Sequence, residues 1–108
     1  MPTPLRYQIQ CEKDGSSVKA TYDVGVPVGG AALIAAFSLT VDGKELIDQN
    51  RWVAGQVRFN GAKFTRLQNP HKNVTVTFSI SSNEGWTAAD SDVLRGERHF
   101  DDVSFTKS

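Results

Sequence analysis

Residues 5–24 read LRYQIQCEKDGSSVKATYDV, and they show the clearest structural pattern in the chain. Two runs of alternating apolar and polar residues flank the dipeptide Asp14-Gly15. Strict alternation is typical of a strand with one buried face, and Asp-Gly is a strong signal for a two-residue hairpin turn. We therefore predict an antiparallel hairpin that turns at 14–15. Its apolar partners would be Cys11 with Val18, Ile9 with Ala20, Tyr7 with Tyr22, and Leu5 with Val24.

A second hairpin is predicted around Asp42-Gly43. The mostly apolar run 31–41 reads as a central strand covered on both faces, and it turns into 44–48. This register places Leu39 opposite Leu46.

A third hairpin is predicted at Asn60-Gly61, which would join a strand over 52–60 to a strand over 62–67. This register places Phe59 opposite Ala62.

The last third of the chain begins with a polar loop at 68–73 and a clean alternating strand at 74–81. The final strand holds Phe100, Val103 and Phe105. Because the step from Phe100 to Val103 breaks the two-residue period, a β-bulge is predicted at Asp101-Asp102.

These patterns add up to seven or eight short strands and no helix. The fold class is therefore all-β, and we expect one domain over 1–108 that forms an antiparallel, jelly-roll-like β-sandwich. A small β-barrel is the alternative.

Composition narrows the function classes. The chain has 108 residues, and Lys+Arg and Asp+Glu each number 12. A net charge of zero argues against nucleic acid as the partner and gives little protection against self-association, so a homo-oligomer is expected. With a single cysteine and no visible signal peptide, the compartment is left open between a cytoplasmic and a non-classically released protein.

The segment 24–41 carries no charged residue and would just span a bilayer as a helix. It contains Gly25, Pro27, Gly29 and Gly30, which oppose a helix. We therefore predict a loop followed by a buried strand, with no stable membrane insertion.

The segment 82–98 has no clear strand pattern and is predicted to be a long loop, the kind of segment that often carries function. Sugar binding needs an aromatic ring together with planar amide, carboxylate or guanidinium groups. The segment offers these in Trp86, Asn83, Glu84, Asp90, Asp92 and Arg95. A second group is Asn50, Arg51 and Trp52, although either tryptophan could instead pack into the core.

The ending 99–106, HFDDVSFT, is similar to the last strand of jelly-roll carbohydrate-binding modules, in which a similar acidic pair precedes a β-strand. The resemblance covers eight residues. It implies a glycan as the ligand.

The sequence offers weaker evidence for a metal site and for a catalytic site. Asp90-x-Asp92 and Asp101-Asp102 could offer oxygen ligands to Ca²⁺, although no EF-hand pattern is present. Cys11 lies on an apolar face and reads as inert core, and no nucleophile motif is present, so no enzymatic activity is expected.

Three functional hypotheses follow from the sequence. The first is a lectin-like, non-catalytic module that binds a glycan or another small polar ligand. The second is a structural or self-assembling subunit of the coat, capsid or tail type. The third is a membrane-active protein that releases 24–41 into a bilayer.

Overall fold

The computed structural model describes residues 5–25, 33–48 and 58–107, and these contain eight β-strands. The strands are β1 (Arg6–Asp14), β2 (Ser17–Gly25), β3 (Ile34–Val41), β4 (Lys44–Asp48), β5 (Arg58–Arg66), β6 (Val74–Ser82), β7 (Thr87–Leu94) and β8 (Phe100–Lys107).

The strands form two open, four-stranded sheets. Sheet A has the order β5-β2-β1-β8, and sheet B has the order β4-β3-β6-β7. Every neighbouring pair is antiparallel. The two sheets pack against each other, which confirms the β-sandwich prediction and leaves the barrel alternative without support.

Two aromatic clusters join the sheets. Phe78 of β6 lies 4.7 Å from Phe105 and 5.1 Å from Tyr7, measured between ring centroids. Phe37 of β3 lies 5.6 Å from Tyr22 of β2. Strands β1 and β8 therefore pack over β6, and β2 packs over β3.

The first hairpin forms, but its register differs from the prediction by two residues. Cys11 pairs with Ala20 rather than with Val18, so the turn lies at Gly15 and Ser16. Gly15 has a φ of 61°, the backbone that a type II′ turn requires at its first central position. A shift of two residues leaves every side chain on its predicted face, and the apolar set is still buried.

The turn at Asp42-Gly43 is confirmed, and both residues have a positive φ, as a type I′ turn requires. The predicted pairing of Leu39 with Leu46 is wrong, because Leu39 pairs with Ile47 across a β-bulge. The bulge adds one residue to β4, which places Ile47 in the core and leaves Leu46 half-buried.

The predicted turn at Asn60-Gly61 is wrong, because β5 runs through it without a break and pairs with β2. Phe59 therefore does not face Ala62. Gly61 lies opposite Tyr22, and a Cβ on Gly61 would come 2.8 Å from the Tyr22 hydroxyl oxygen. Glycine is needed here because the tyrosine ring occupies the space of a side chain. The earlier part of the predicted strand, 52–57, lies outside the described residues.

The long loop predicted over 82–98 is also wrong, because the middle of the segment forms β7 and Ser82 belongs to β6. Only a short turn separates β6 from β7. Strand β7 is the last strand of sheet B, so only one of its sides is paired within the described residues. This position explains why its sequence lacks the alternation of a half-buried strand. The loop at 68–73 is confirmed.

The predicted bulge at Asp101-Asp102 is absent, since β8 pairs with β1 in one regular register. Phe100 lies on the outer face of sheet A and is 67% exposed, whereas Val103 lies on the inner face and is buried. The odd spacing between them reflects two faces of one regular strand.

The uncharged segment 24–41 contains the end of β2 and the whole of β3, and its residues 26–32 lie outside the description. In the part of the chain that the structure describes, no helix is long and apolar enough to cross a membrane.

Candidate functional site

Trp86 closes one end of the sandwich. Its side chain is half-buried against the core, with its ring centroid 6.5 Å from that of Tyr7. Its backbone N–H donates to Ser82 Oγ at 3.1 Å, and its carbonyl accepts from the Ser82 N–H at 2.8 Å. This geometry favours the alternative in which Trp86 folds back onto the core.

Asn83 and Glu84 form the turn that leads to Trp86. The Asn83 side-chain Oδ1 accepts from the Leu33 N–H at 2.9 Å, and the Asn83 N–H donates to the Leu33 carbonyl at 3.0 Å. The Glu84 N–H donates to Ser82 Oγ at 3.3 Å, and Glu84 itself is exposed. The Asn83 amide thus holds two chain segments together, which leaves it less free to meet a ligand.

Asp90 and Asp92 lie opposite Phe78 and Val76 in the β6–β7 ladder, so they share the inner side of sheet B at its edge. Both are exposed, and the Oδ1 of each accepts from the following N–H at 2.8 Å. Charges that point inward on a terminal strand oppose pairing with another sheet. This placement accounts for the two carboxylates without a ligand.

The acidic residues do not gather around a common centre for Ca²⁺. The Asp101 Oδ2 accepts from the Arg95 N–H at 2.6 Å. Within the described residues, no three or more His, Cys, Asp or Glu side chains come together to hold a metal ion.

The loop-borne site is therefore spread out. Trp86 and Arg95 lie at opposite ends of β7, about 30 Å apart at the rise of an extended strand. A single sugar cannot contact both. Trp52 and Arg51 lie outside the described residues and stay predictions.

A second arrangement of polar groups lies on the outer side of sheet A, and the sequence analysis did not single it out. We call it the polar face. Across β1, β2 and β5 it presents amide, hydroxyl and carboxylate groups in adjacent positions, and these line a shallow depression of about 350 Å³. Its members are Gln8, Gln10, Thr21, Asp23 and Asn60.

One carboxylate of the polar face is held in a fixed orientation. Arg58 Nε donates to Asp23 Oδ1 at 3.1 Å, and Arg58 Nη2 donates to Asp23 Oδ2 at 2.9 Å. This hydrogen-bonded, two-point pair raises the pKa of Arg58 above its ordinary value, first through the hydrogen bond and then through the charge of Asp23. Asp23 keeps lone pairs for a ligand because a carboxylate offers about four acceptor sites.

An aromatic ring stands beside the polar face. Phe64 lies two residues beyond Ala62 on the same side of β5 and is 72% exposed. The Lys19 ammonium lies 5.9 Å from its ring centroid. Its neighbour on the same side of β5, between Phe64 and Asn60, is the small residue Ala62.

The signal for the polar face was present in the first hairpin, as polar residues at every second position. Their use as a group was missed because Asn60 was placed in a turn. Only the pairing of β5 with β2 brings Asn60 beside Asp23.

A further depression of about 390 Å³ lies at one end of the sandwich, between Lys13, His71 and His99. Lys13 is buried, and its ammonium donates to the Arg98 carbonyl. His99 Nε2 lies 3.2 Å from Asp14 Oδ1. These contacts tie loops to strand ends, so we assign this depression a structural role.

Cys11 is fully buried, and burial raises the pKa of its thiol to about 11. A thiol in this state is a poor nucleophile at neutral pH, because the thiolate is the reactive form.

The raised thiol pKa leads to a pH prediction. Above pH 9.0 the unfolded chain releases the thiol proton while the folded chain keeps it until about pH 11. The free energy of unfolding should therefore fall over this range, by about 2–3 kcal/mol from this group alone.

The measurement is urea unfolding at several pH values, compared with a Cys11→Ala variant. The variant is the needed control because burial also raises the pKa of Tyr22, which acts in the same direction. The wild type should lose stability more steeply than the variant above pH 9.0. Parallel pH profiles would contradict the prediction.

Comparison of the chain with known protein families and with curated proteins finds no match. The structure defines an antiparallel β-sandwich that carries the polar face on the outer side of sheet A.

Proposed function

We propose that the protein is a non-catalytic carbohydrate-binding module and that the polar face is its site. The observation that carries the proposal is the set of planar amides and one oriented carboxylate around a depression, with an exposed phenylalanine beside them.

The chemistry of the face suits sugar hydroxyls. A glutamine or asparagine amide both donates and accepts, so it can pair with a hydroxyl in either direction. Gln10 is half-buried in the strand ladder, which limits its rotamers and lowers the entropy lost on binding. The Phe64 ring offers an apolar surface for the C–H side of a sugar.

The size and charge of the site agree with a small neutral ligand. A volume of about 350 Å³ lies at the lower end of the range for small-molecule sites. Arg58 neutralises Asp23, and the whole chain has a formal charge of zero. A neutral glycan is therefore a better partner than a phosphate polymer.

A glycan array and then titration calorimetry test the proposal. With the best array sugar, Gln10→Ala and Phe64→Ala should each weaken binding about tenfold, because each removes roughly one hydrogen-bonded or stacked contact. Gln68→Ala is the matched control, since it removes an exposed amide away from the face. An array with no bound sugar, or unchanged affinity in both variants, would refute the proposal.

A Trp86→Ala variant separates the polar face from the loop-borne site. If sugars bind the polar face, this variant should lower thermal stability and leave the dissociation constant within about twofold of the wild type. If folded Trp86→Ala lost sugar binding while Gln10→Ala kept it, the sugar-binding site would lie at the 82–87 turn and not on the polar face.

A self-assembling subunit is the second candidate function. The observation in its favour is the complementary pair of strands at the two edges of sheet A, which is developed below.

A further inference from the structure

Sheet A ends in β5 on one side and in β8 on the other. Within the described residues, each of these strands pairs along one side only, β5 with β2 and β8 with β1. An edge strand presents backbone N–H and C=O groups that another strand can pair with. With nine and eight residues, β5 and β8 are long for edge strands.

The two edges carry opposite charge. Strand β5 contains three cationic side chains and no carboxylate, whereas β8 contains two carboxylates and one lysine. The charged residues are Arg58, Lys63 and Arg66 on β5, and Asp101, Asp102 and Lys107 on β8.

The two edges also carry exposed aromatic rings. Phe64 is 72% exposed and Phe100 is 67% exposed. Both lie on the outer side of sheet A, because Phe64 pairs with Lys19 and Phe100 pairs with Asp14. Among the described residues, Val93 is the third exposed large apolar side chain, at 40%.

We propose that a second copy of this chain adds its β8 to the β5 edge, so that sheet A continues from one copy into the next. Three antiparallel steps separate β5 from β8, so the two strands run in opposite directions. A neighbouring copy in the same orientation therefore presents its β8 antiparallel to β5.

One register satisfies both sides of the extended sheet. It places Phe64 opposite Phe100 on the outer side and Lys63 opposite Asp101 on the inner side. The same register places Phe59 opposite Phe105, also on the inner side. Aromatic pairs and opposite charges directly across an antiparallel ladder each stabilise it.

The charges also oppose two other pairings, of β5 with a second β5 in the register below and of any strand with β7. Two β5 edges in a symmetric pair centred on Ala62 would set Arg58 against Arg66. Strand β7 turns Asp90 and Asp92 inward, which protects the edge of sheet B. Lys63 likewise opposes the pairing of β5 with another strand, unless that strand places a carboxylate directly opposite Lys63.

The resulting interface is head-to-tail, because it joins two different edges. Such an interface builds open filaments or closed rings rather than a two-fold dimer. Successive copies would present their outer sheet faces on one side of the assembly. Phe64 serves both proposals, because it stands beside the polar face and also lies opposite Phe100 in this register. The two residues changed in the assembly test, Lys63 and Phe100, do not line the depression on the polar face, so the inference can fail or hold separately from the proposed function.

Sedimentation velocity on the full chain over a concentration series tests the proposal. The wild type should form species larger than a dimer as concentration rises. Lys63→Glu blocks the β5 edge, and Phe100→Asp blocks the β8 edge. Each substitution should weaken assembly at least about tenfold, so that each variant alone is monomeric. Lys63→Glu places a carboxylate opposite Asp101, and Phe100→Asp places a carboxylate opposite the Phe64 ring.

The decisive measurement is made on a mixture of the Lys63→Glu and Phe100→Asp variants. Lys63→Glu keeps an intact β8, and Phe100→Asp keeps an intact β5, so the mixture should form a one-to-one dimer and stop there. Val93→Asp on β7 is the matched control and should assemble like the wild type. Circular dichroism checks that all three variants fold.

Three results would overturn the proposal. They are a wild type that stays monomeric at every concentration, blocked variants that do not pair when mixed, and a Val93→Asp variant that dissociates as fully as the blocked ones. Concentration-dependent protection of backbone amides from hydrogen exchange in β5 and β8, and not in β7, would support it independently.

Discussion

Phe78→Ala should lower the free energy of unfolding by about 3–5 kcal/mol, since this is the usual cost of removing a buried phenylalanine. Phe78 is 1% exposed and contacts Phe105 and Tyr7, both in the opposite sheet. Alanine would therefore leave a cavity in the layer that joins the sheets. Rigid β-strands on both sides limit how far the cavity can collapse, which places the cost at the upper end of the range.

Urea unfolding at low protein concentration measures this loss. The matched control is Phe100→Ala, which makes the same chemical change at a largely exposed position and should alter the free energy by less than about 0.5 kcal/mol. Similar losses in both variants would show that the Phe78 ring does not join the sheets as described.

Gly96→Ala should cost about 3 kcal/mol or more, the upper end of what overpacking usually costs. An added Cβ would lie 2.3 Å from the carbonyl carbon and oxygen of His71 and 2.5 Å from the Lys72 carbonyl carbon. These are backbone atoms, so the clash cannot be relieved by turning a side chain. Moving the loops apart would also break the bond from the Gly96 N–H to Asn73 Oδ1, which is 3.1 Å long.

Gly43→Ala is the comparison for this prediction. Gly43 has a φ of 73° and open space around it, so alanine there meets backbone strain without a clash. That strain costs about 1–2 kcal/mol. A Gly96→Ala protein at least as stable as Gly43→Ala would mean that the loops at 68–73 and 95–99 do not pack as described.

Much of the fold could be predicted from the sequence because one face of each sheet is buried and the other is exposed to solvent. In β1, β2 and β6, apolar residues recur at every second position, and all of them are buried or half-buried. The error in the first hairpin register did little harm, because a slip of two residues keeps each side chain on its face.

The predictions of a turn at Asn60-Gly61 and of a long loop over 82–98 were wrong because pairing between distant strands overrides the local sequence pattern there. Asn60-Gly61 has the composition of a hairpin turn, but Tyr22 takes the space beside Gly61 and β2 pairs along the whole of β5. Strand β7 lacks a period because an edge strand with few buried positions needs none. Its misassignment as a loop placed Trp86 and Arg95 in one site although a strand length separates them.

The polar face shows the same division between local and long-range information. The alternation that places Gln8 and Gln10 on one side of β1 is local, so it could be read from the chain. Asp23 joins them through the local β1–β2 hairpin, whereas Asn60 depends on the pairing of β5 with β2, which local patterns do not encode.

Local sequence patterns were enough to identify the buried residues of the first hairpin and of β6, because a period of two and a turn dipeptide act over a few residues. Which strands lie at the edges, and which polar groups share a face, depends on how distant strands pair. The reason is physical: backbone hydrogen bonds between distant strands are alike at every position, so their partners are chosen by packing across the whole sandwich.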